Sequence, residues 1–287
     1  MTDSPAPLNL FQAHHRTFRS NRFVYPVLSR RAAGLSIGIN LNLDRVCNFN
    51  CVYCQVDRSG PVVRDSVDLK RLAAELDASV ELVASGQIYQ DPQFSNVPPH
   101  LRRLNDIAFS GDGEPTTCRH FDEVVALAAE VRRRHHLDDV KLVLITNASR
   151  FHLARVQRAM ALLDATCGEV WAKLDAGTED YYRLVARTKV PFKRILDNLL
   201  LAARARPLVI QSLFVRLRGE PPPAAELEAY CGRLEAIVSG GGRVKLVQVH
   251  TIARPPAETW VTALTPDELE RLAALIRRTV GLTVAVY

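Results

Sequence analysis

Two periods of hydrophobic residues alternate along this chain. Leu69, Leu72, Leu76, Val80 and Val83 recur at helical spacing, as do Phe121, Val124, Val125, Ala128 and Val131. A third helix is predicted over 152–163, a fourth over 180–205 with a break at Pro191, and a fifth through Leu227, Tyr230, Cys231, Leu234 and Val238. Between them lie short apolar runs that read as strands: 36–43, 106–110, 140–146, 169–174, 208–217 and 243–249. Thr265-Pro266-Asp267-Glu268 has the form of a capping box with proline at the first helical position, opening a last amphipathic helix that stops at Gly281. Residues 282–287 read as a final strand. Six β–α units running in one direction predict an α/β fold, a parallel sheet closed or nearly closed into a barrel. No internal repeat is present, and the linker-like stretches are 91–99 and 220–223.

Composition adds a compartment and a partner class. The chain has 287 residues, 47% hydrophobic and 24% charged, which suits one barrel domain with a substantial core. Six cysteines without a disulfide-like framework suit a reducing cytosol. The first eight residues are polar, and no apolar run approaches the roughly 20 residues needed to span a bilayer; 199–215 comes nearest and is interrupted by Arg204 and Arg206. A cytoplasmic protein with no membrane contact is expected. A formal net charge of +6 favours acidic partners without specifying one. Residues 1–34 read as an N-terminal basic arm and 35–287 as the barrel domain. Within the arm Arg16, Arg19, Arg22, Arg30 and Arg31 interleave with Phe18, Phe23 and Tyr25. Such an arm suits RNA, with guanidinium groups on phosphates and rings on bases. The competing reading packs the rings on the barrel and leaves the arginines in water.

Just after the first predicted strand, Cys47, Cys51 and Cys54 are spaced C-x3-C-x2-C. Soft thiolates suit iron–sulfur clusters, and a [4Fe–4S] cube held by three of them keeps one iron open to chemistry. Structural zinc sites usually close with four ligands, often as paired knuckles, and no second knuckle follows here. With Tyr53 before the last cysteine, the motif resembles the radical S-adenosylmethionine superfamily. The flanking residues 25–31, 36–40 and 51–55 are similar to its branch of wyosine-type tRNA-modifying synthases and their bacterial relatives. The resemblance implies a partial (β/α)6 TIM-like barrel, one [4Fe–4S] cluster on Cys47, Cys51 and Cys54, and S-adenosylmethionine on the fourth iron. It also implies a one-electron donor such as flavodoxin or ferredoxin. Synthases of that branch carry a second cluster on upstream cysteines, for which this sequence offers no ligand set before Cys47.

In βα barrels the active site lies at the C-terminal ends of the strands. After the second strand come Gly111, Asp112, Gly113, Glu114 and Pro115, which resemble the family's segment binding the ammonium end of S-adenosylmethionine. Asp112 between the glycines is particular to this copy. Thr146 and Asn147 end the third strand. Lys173 and Asp175 share a face on the fourth, either toward the cofactor or as a structural ion pair. Gln211 and His250 hold similar places on later strands, and Tyr53 is expected near the adenine. Cys231 sits on an apolar helix face, Cys167 at the opposite end of the barrel, and Cys118 on the active-site side without companions for a second cluster. The expected activity is reductive cleavage of S-adenosylmethionine to a 5′-deoxyadenosyl radical that takes hydrogen from a substrate, RNA among the candidates. The alternatives are an activase that places a glycyl radical on a partner protein and a non-catalytic, metal-stabilised RNA-binding module.

Overall fold

The computed structural model describes residues 16, 18–58 and 66–287; the arm before these residues lies outside the description. The elements run β1 (Val24–Ser29), β2 (Gly34–Ile39), α1 (Leu69–Ala84), β3 (Leu104–Phe109), α2 (Phe121–Arg134), β4 (Lys141–Thr146), α3 (Ala154–Asp164) and β5 (Glu169–Lys173). They continue as α4 (Glu179–Ala186), α5 (Phe192–Ala205), β6 (Leu208–Leu213), β7 (Val215–Leu217), α6 (Ala224–Ser239), β8 (Val244–His250), β9 (Val261–Ala263), α7 (Pro266–Val280) and β10 (Val284–Val286). One eight-stranded sheet has the order β1-β2-β3-β4-β5-β6-β8-β10, antiparallel only between β1 and β2. A separate antiparallel pair joins β7 to β9. This is the partial TIM-like barrel that the six β–α units predict, enlarged by a strand at each edge.

Strand alternation divides the sheet into two faces. Leu142, Leu144, Val170, Ala172, Leu208, Ile210, Val247 and Val249 join the main core with the helices. The intervening residues Val143, Trp171 and Val209, with Ala108, form a second apolar cluster on the inner face, with Ile145 and Leu246 packed against it. Lys173, Gln211, Gln248 and His250 continue that inner face toward the C-terminal ends of the strands.

Sequence and structure part in three places. Residues 24–29, counted above with the basic arm, pair with 34–39 as β1. Pro26 obscures this strand in the sequence, and an edge tolerates it because its missing N–H would face outward. Of the two readings of the arm, the one that packs its rings on the barrel holds: Phe18, Phe23 and Tyr25 are 5%, 1% and 4% exposed. The run 208–217 divides at Phe214, whose N–H bonds His250 O and turns the chain into β7. The helix over 180–205 breaks before Pro191, at Arg187, which takes a left-handed φ of 45° and ends α4. The capping box at Thr265 is formed, and Gly281 closes α7 at φ 71°.

At the lower end of the barrel Asp106 accepts a hydrogen bond from Ser36 Oγ, yet burial raises its carboxyl from 3.8 to about 6. The folded state therefore holds this proton where the unfolded chain has lost it, and stability falls as pH rises from about 4 to 6. Asp106→Asn removes the charge. Its melting temperature at pH 8 should exceed wild type, by an amount equivalent to at most about 3 kcal/mol, with the gap closing at pH 4. An equal or lower melting temperature at pH 8 would count against the assignment.

Candidate active site

The loop that follows β2 carries the cysteines, and its shape is set by parts of the chain far away. Asn50 N–H bonds Ala186 O (3.1 Å) and Val52 N–H bonds Val185 O (2.9 Å), hanging the loop on the end of α4. Asn48 holds it to the end of β4: its Oδ1 accepts from Asn147 Nδ2 (2.9 Å) and its Nδ2 donates to Ser149 Oγ (2.7 Å). Thr188 Oγ1 donates to Asn48 O (2.7 Å), and Gln55 Nε2 to Arg254 O (2.9 Å). Phe49 packs edge-on against Tyr182. A loop held at this many points presents its thiols in a fixed arrangement.

Cys47, Cys51 and Cys54 line one cavity of about 350 Å³ at the C-terminal end of the strands. Burial raises the Cys47 thiol and pushes Cys51 up to about 12. In the metal-free protein these thiols therefore keep their protons at neutral pH, and metal loading releases them. Among the described residues no three His, Cys, Asp or Glu side chains converge as ligands of a single ion. Three soft donors on one cavity wall are a set that suits an iron–sulfur cube, whereas structural zinc usually takes four protein ligands. Arg58 adds a cation at this wall, donating to Cys54 Sγ at 3.5 Å.

The glycine loop, 110–116, packs directly on the cysteine loop. A Cβ on Gly111 would lie 2.2 Å from Asn40 Oδ1, and one on Gly113 would lie 2.3 Å from Val46 O, so only glycine admits the approach. Asp112 anchors the loop sideways, accepting from Arg16 Nη1 and Asn40 Nδ2, both at 2.6 Å. Glu114 is 3% exposed and takes four hydrogen bonds: Thr116 N (3.2 Å), Thr116 Oγ1 (2.5 Å), Thr146 Oγ1 (2.6 Å) and Asn147 N (2.7 Å). A carboxylate has about four lone-pair positions. Glu114 is thus a clamp between the glycine loop and β4, with burial raising its carboxyl. Pro115 starts the short 3-10 turn beyond it and does not line the cavity.

Lys173 faces the cavity 5.1 Å above the Tyr53 ring and pairs with Asp175 at 3.3 Å. Asp175 lies behind it, accepting from the Tyr53 hydroxyl and from Leu213 N at 2.8 Å. The Tyr53 hydroxyl is therefore committed to the barrel, while its ring lines the cavity. His250 lines the cavity on the far side. Gln211 departs from expectation: it points inward as alternation requires, but bonds Gln248 Oε1 at 3.1 Å below the cavity rather than lining it. Cys118 lies outside the cavity lining, Cys167 is exposed, and Cys231 is buried in α6. Asn48, Ser149 and Thr188 escaped the sequence reading because their partners are long-range. Behind Cys47 a second hollow of about 360 Å³ is lined by Arg150, Arg187, Lys189 and Arg194.

Comparison with known proteins bears on the family and the fold. Residues 41–222 match the family described as the Radical SAM superfamily. The chain is 25% identical over 247 residues to a UPF0026 protein of Helicobacter pylori, covering 85% of this chain and 70% of that one. It is 24% identical over 201 residues to GTPase Obg of Brachyspira hyodysenteriae, covering 69% of this chain but only 26% of that protein. This chain has no G-x-x-x-x-G-K-[ST] phosphate loop. Among solved structures, a radical SAM methyltransferase from Sphaerobacter thermophilus superposes with a TM-score of 0.61 at 11% identity, covering 92% of this chain and 68% of that one. TYW1 with a lysine-pyruvate adduct bound superposes with a TM-score of 0.51 at 16% identity, covering 85% and 73%. At these identities the superpositions speak for the fold. No described helix is long and apolar enough to cross a membrane.

Proposed function

Since this chain belongs to the radical S-adenosylmethionine superfamily, we propose that it is an enzyme whose cluster sits on Cys47, Cys51 and Cys54 and whose substrate loses a hydrogen atom in the cavity they line. Members of the family use a [4Fe–4S] cluster and S-adenosylmethionine. When bound, the cluster supplies one electron that breaks the sulfonium bond, giving methionine and a 5′-deoxyadenosyl radical that abstracts hydrogen. The observation that carries the reading is convergence: three thiols, the glycine loop, Thr146, Asn147 and Lys173 come from four separate elements onto one cavity.

The residues divide the remaining work. The three thiols hold the metal by soft donation, each contributing one bond. The glycine loop offers backbone at close range for the ammonium end of the cofactor, while Glu114 keeps that loop against β4 instead of spending its own lone pairs. The ring of Tyr53 and the Lys173 ammonium face the cavity together, and Asp175 fixes both. The apolar wall of Ala108 and Ile145 keeps water from the space where a radical would form. Electrons come from a carrier protein, and the basic hollow behind Cys47 suits an acidic one such as flavodoxin or ferredoxin.

Anaerobic reconstitution with iron and sulfide, followed by reduction with S-adenosylmethionine present, tests the reading. The expected product is 5′-deoxyadenosine, from a brown protein. A colourless protein that retains stoichiometric zinc and forms no 5′-deoxyadenosine would end it.

A further inference from the structure

The cavity has a second chemical end. Tyr25, Val27 and Ser29 line it along β1, and Arg30 and Arg31 line it where β1 turns into β2. The cysteine loop leaves the opposite end of β2, a strand length of roughly 17 Å away. The cavity thus runs from the thiols along the sheet edge to a pair of adjacent arginines.

The charges of this cavity are unevenly matched. Arg16 is paired with Asp112 at 2.6 Å and Lys173 with Asp175 at 3.3 Å. Arg30 and Arg31 have no carboxylate within 4.0 Å among the described residues. The Arg31 guanidinium lies 5.7 Å over the Trp171 ring and feels Asp106 only at longer range, while burial and the neighbouring Arg30 pull it down to about 10. His250 stands in the field of Arg31, Lys173 and Arg30. It is 8% exposed, and its Nδ1 is buried without a hydrogen-bond partner. Two half-buried guanidinium groups facing one space are costly to maintain empty of a counter-charge.

We propose that this end of the cavity binds the oxyanion of a small substrate, a carboxylate or a phosphate, through Arg30 and Arg31, with His250 on the cavity wall. The proposal deepens the reading above and rests on it for the word substrate. The anion would anchor the molecule at the arginine end and leave the rest of it reaching along β1 toward the thiols. Planar guanidinium forks match both oxyanions in two-point fashion, which lysine cannot reproduce. Such a site favours a small acid or phosphorylated compound over an uncharged one or a glycine within a protein backbone.

The test is titration of the reconstituted protein with malonate and, separately, with inorganic phosphate, followed by calorimetry and by tryptophan fluorescence, since Trp171 lies beneath Arg31. Saturable binding of malonate alone marks a carboxylate site, and of phosphate alone a phosphate site. Arg31→Gln should weaken the bound probe about tenfold or more, with Arg31→Lys between it and wild type. Arg204→Gln, on the exposed face of α5, should bind as wild type. Should Arg31→Gln fail to fold, Arg30→Gln provides the same comparison. Absence of saturation with both probes, or equal affinity in the arginine variants, overturns the anion site. Assay of 5′-deoxyadenosine on the same preparation separates the two ideas: its formation without anion binding sinks the anion site alone, whereas anion binding without it sinks the radical reading.

Discussion

Replacing any one of Cys47, Cys51 or Cys54 with alanine is expected to reduce 5′-deoxyadenosine formation to the no-enzyme background and to lower bound iron from about four per chain, the content of one cube. The loss should be complete because a cube with three protein donors has none in reserve. Cys118 and Cys231 do not line the cavity, so neither can substitute. The control is Cys231→Ala, buried in α6, which should lose stability through a small packing defect and keep both iron and cleavage. Iron near eight per chain in the wild type, or full cleavage by one of the three variants, would require a different ligand set.

Loss of Glu114 should be felt before any cofactor is added. Glu114→Ala strands Thr116 N and Asn147 N in a buried site, whereas the two threonine hydroxyls can rotate to other acceptors. Each orphaned buried donor costs about 1–3 kcal/mol, so a total loss of about 3 kcal/mol is expected in urea unfolding of the iron-free protein. Glu114→Gln keeps an acceptor oxygen for Asn147 N and turns its amide toward the two hydroxyls, which can accept, and toward Thr116 N, which loses its acceptor; about 1–2 kcal/mol is expected there. Asn147 also fixes Asn48 of the cysteine loop, so the alanine variant should load iron poorly as well. An alanine variant as stable as wild type, binding S-adenosylmethionine weakly but iron normally, would make Glu114 a direct cofactor contact rather than a clamp.

The sheet was legible in the sequence because its middle strands are buried on both faces and bounded by helices of clear period. The three thiols and the glycine loop were legible because they are local strings. What stayed hidden has physical reasons. Pro26 disguises β1, whose pairing to β2 only an edge position permits. Phe214 belongs to an unbroken apolar run, and only the bond of its N–H to His250 O shows that the strand turns there. Gln211 has the correct face, but its depth along the strand and its partner Gln248 depend on the register between β6 and β8. The roles of Tyr53 and Glu114 were read from the ligand side, whereas the hydrogen bonds they make within the protein decide what lone pairs remain.

The anchoring of the cysteine loop bears on when during synthesis this protein can acquire metal. The strands of the main sheet are added in chain order, so pairing can follow the emerging polypeptide with little need for distant segments to find one another. The cysteine loop does not share that property. Its backbone is held by Val185 and Ala186, its Asn48 by Thr188, and Cys54 O by the N–H of Ala257 at 3.3 Å. A ribosome-bound chain would therefore carry Cys47, Cys51 and Cys54 as loose thiols until more than two hundred further residues had followed them. The three thiols therefore take up their common arrangement only once the chain as far as Ala257 is available to hold them.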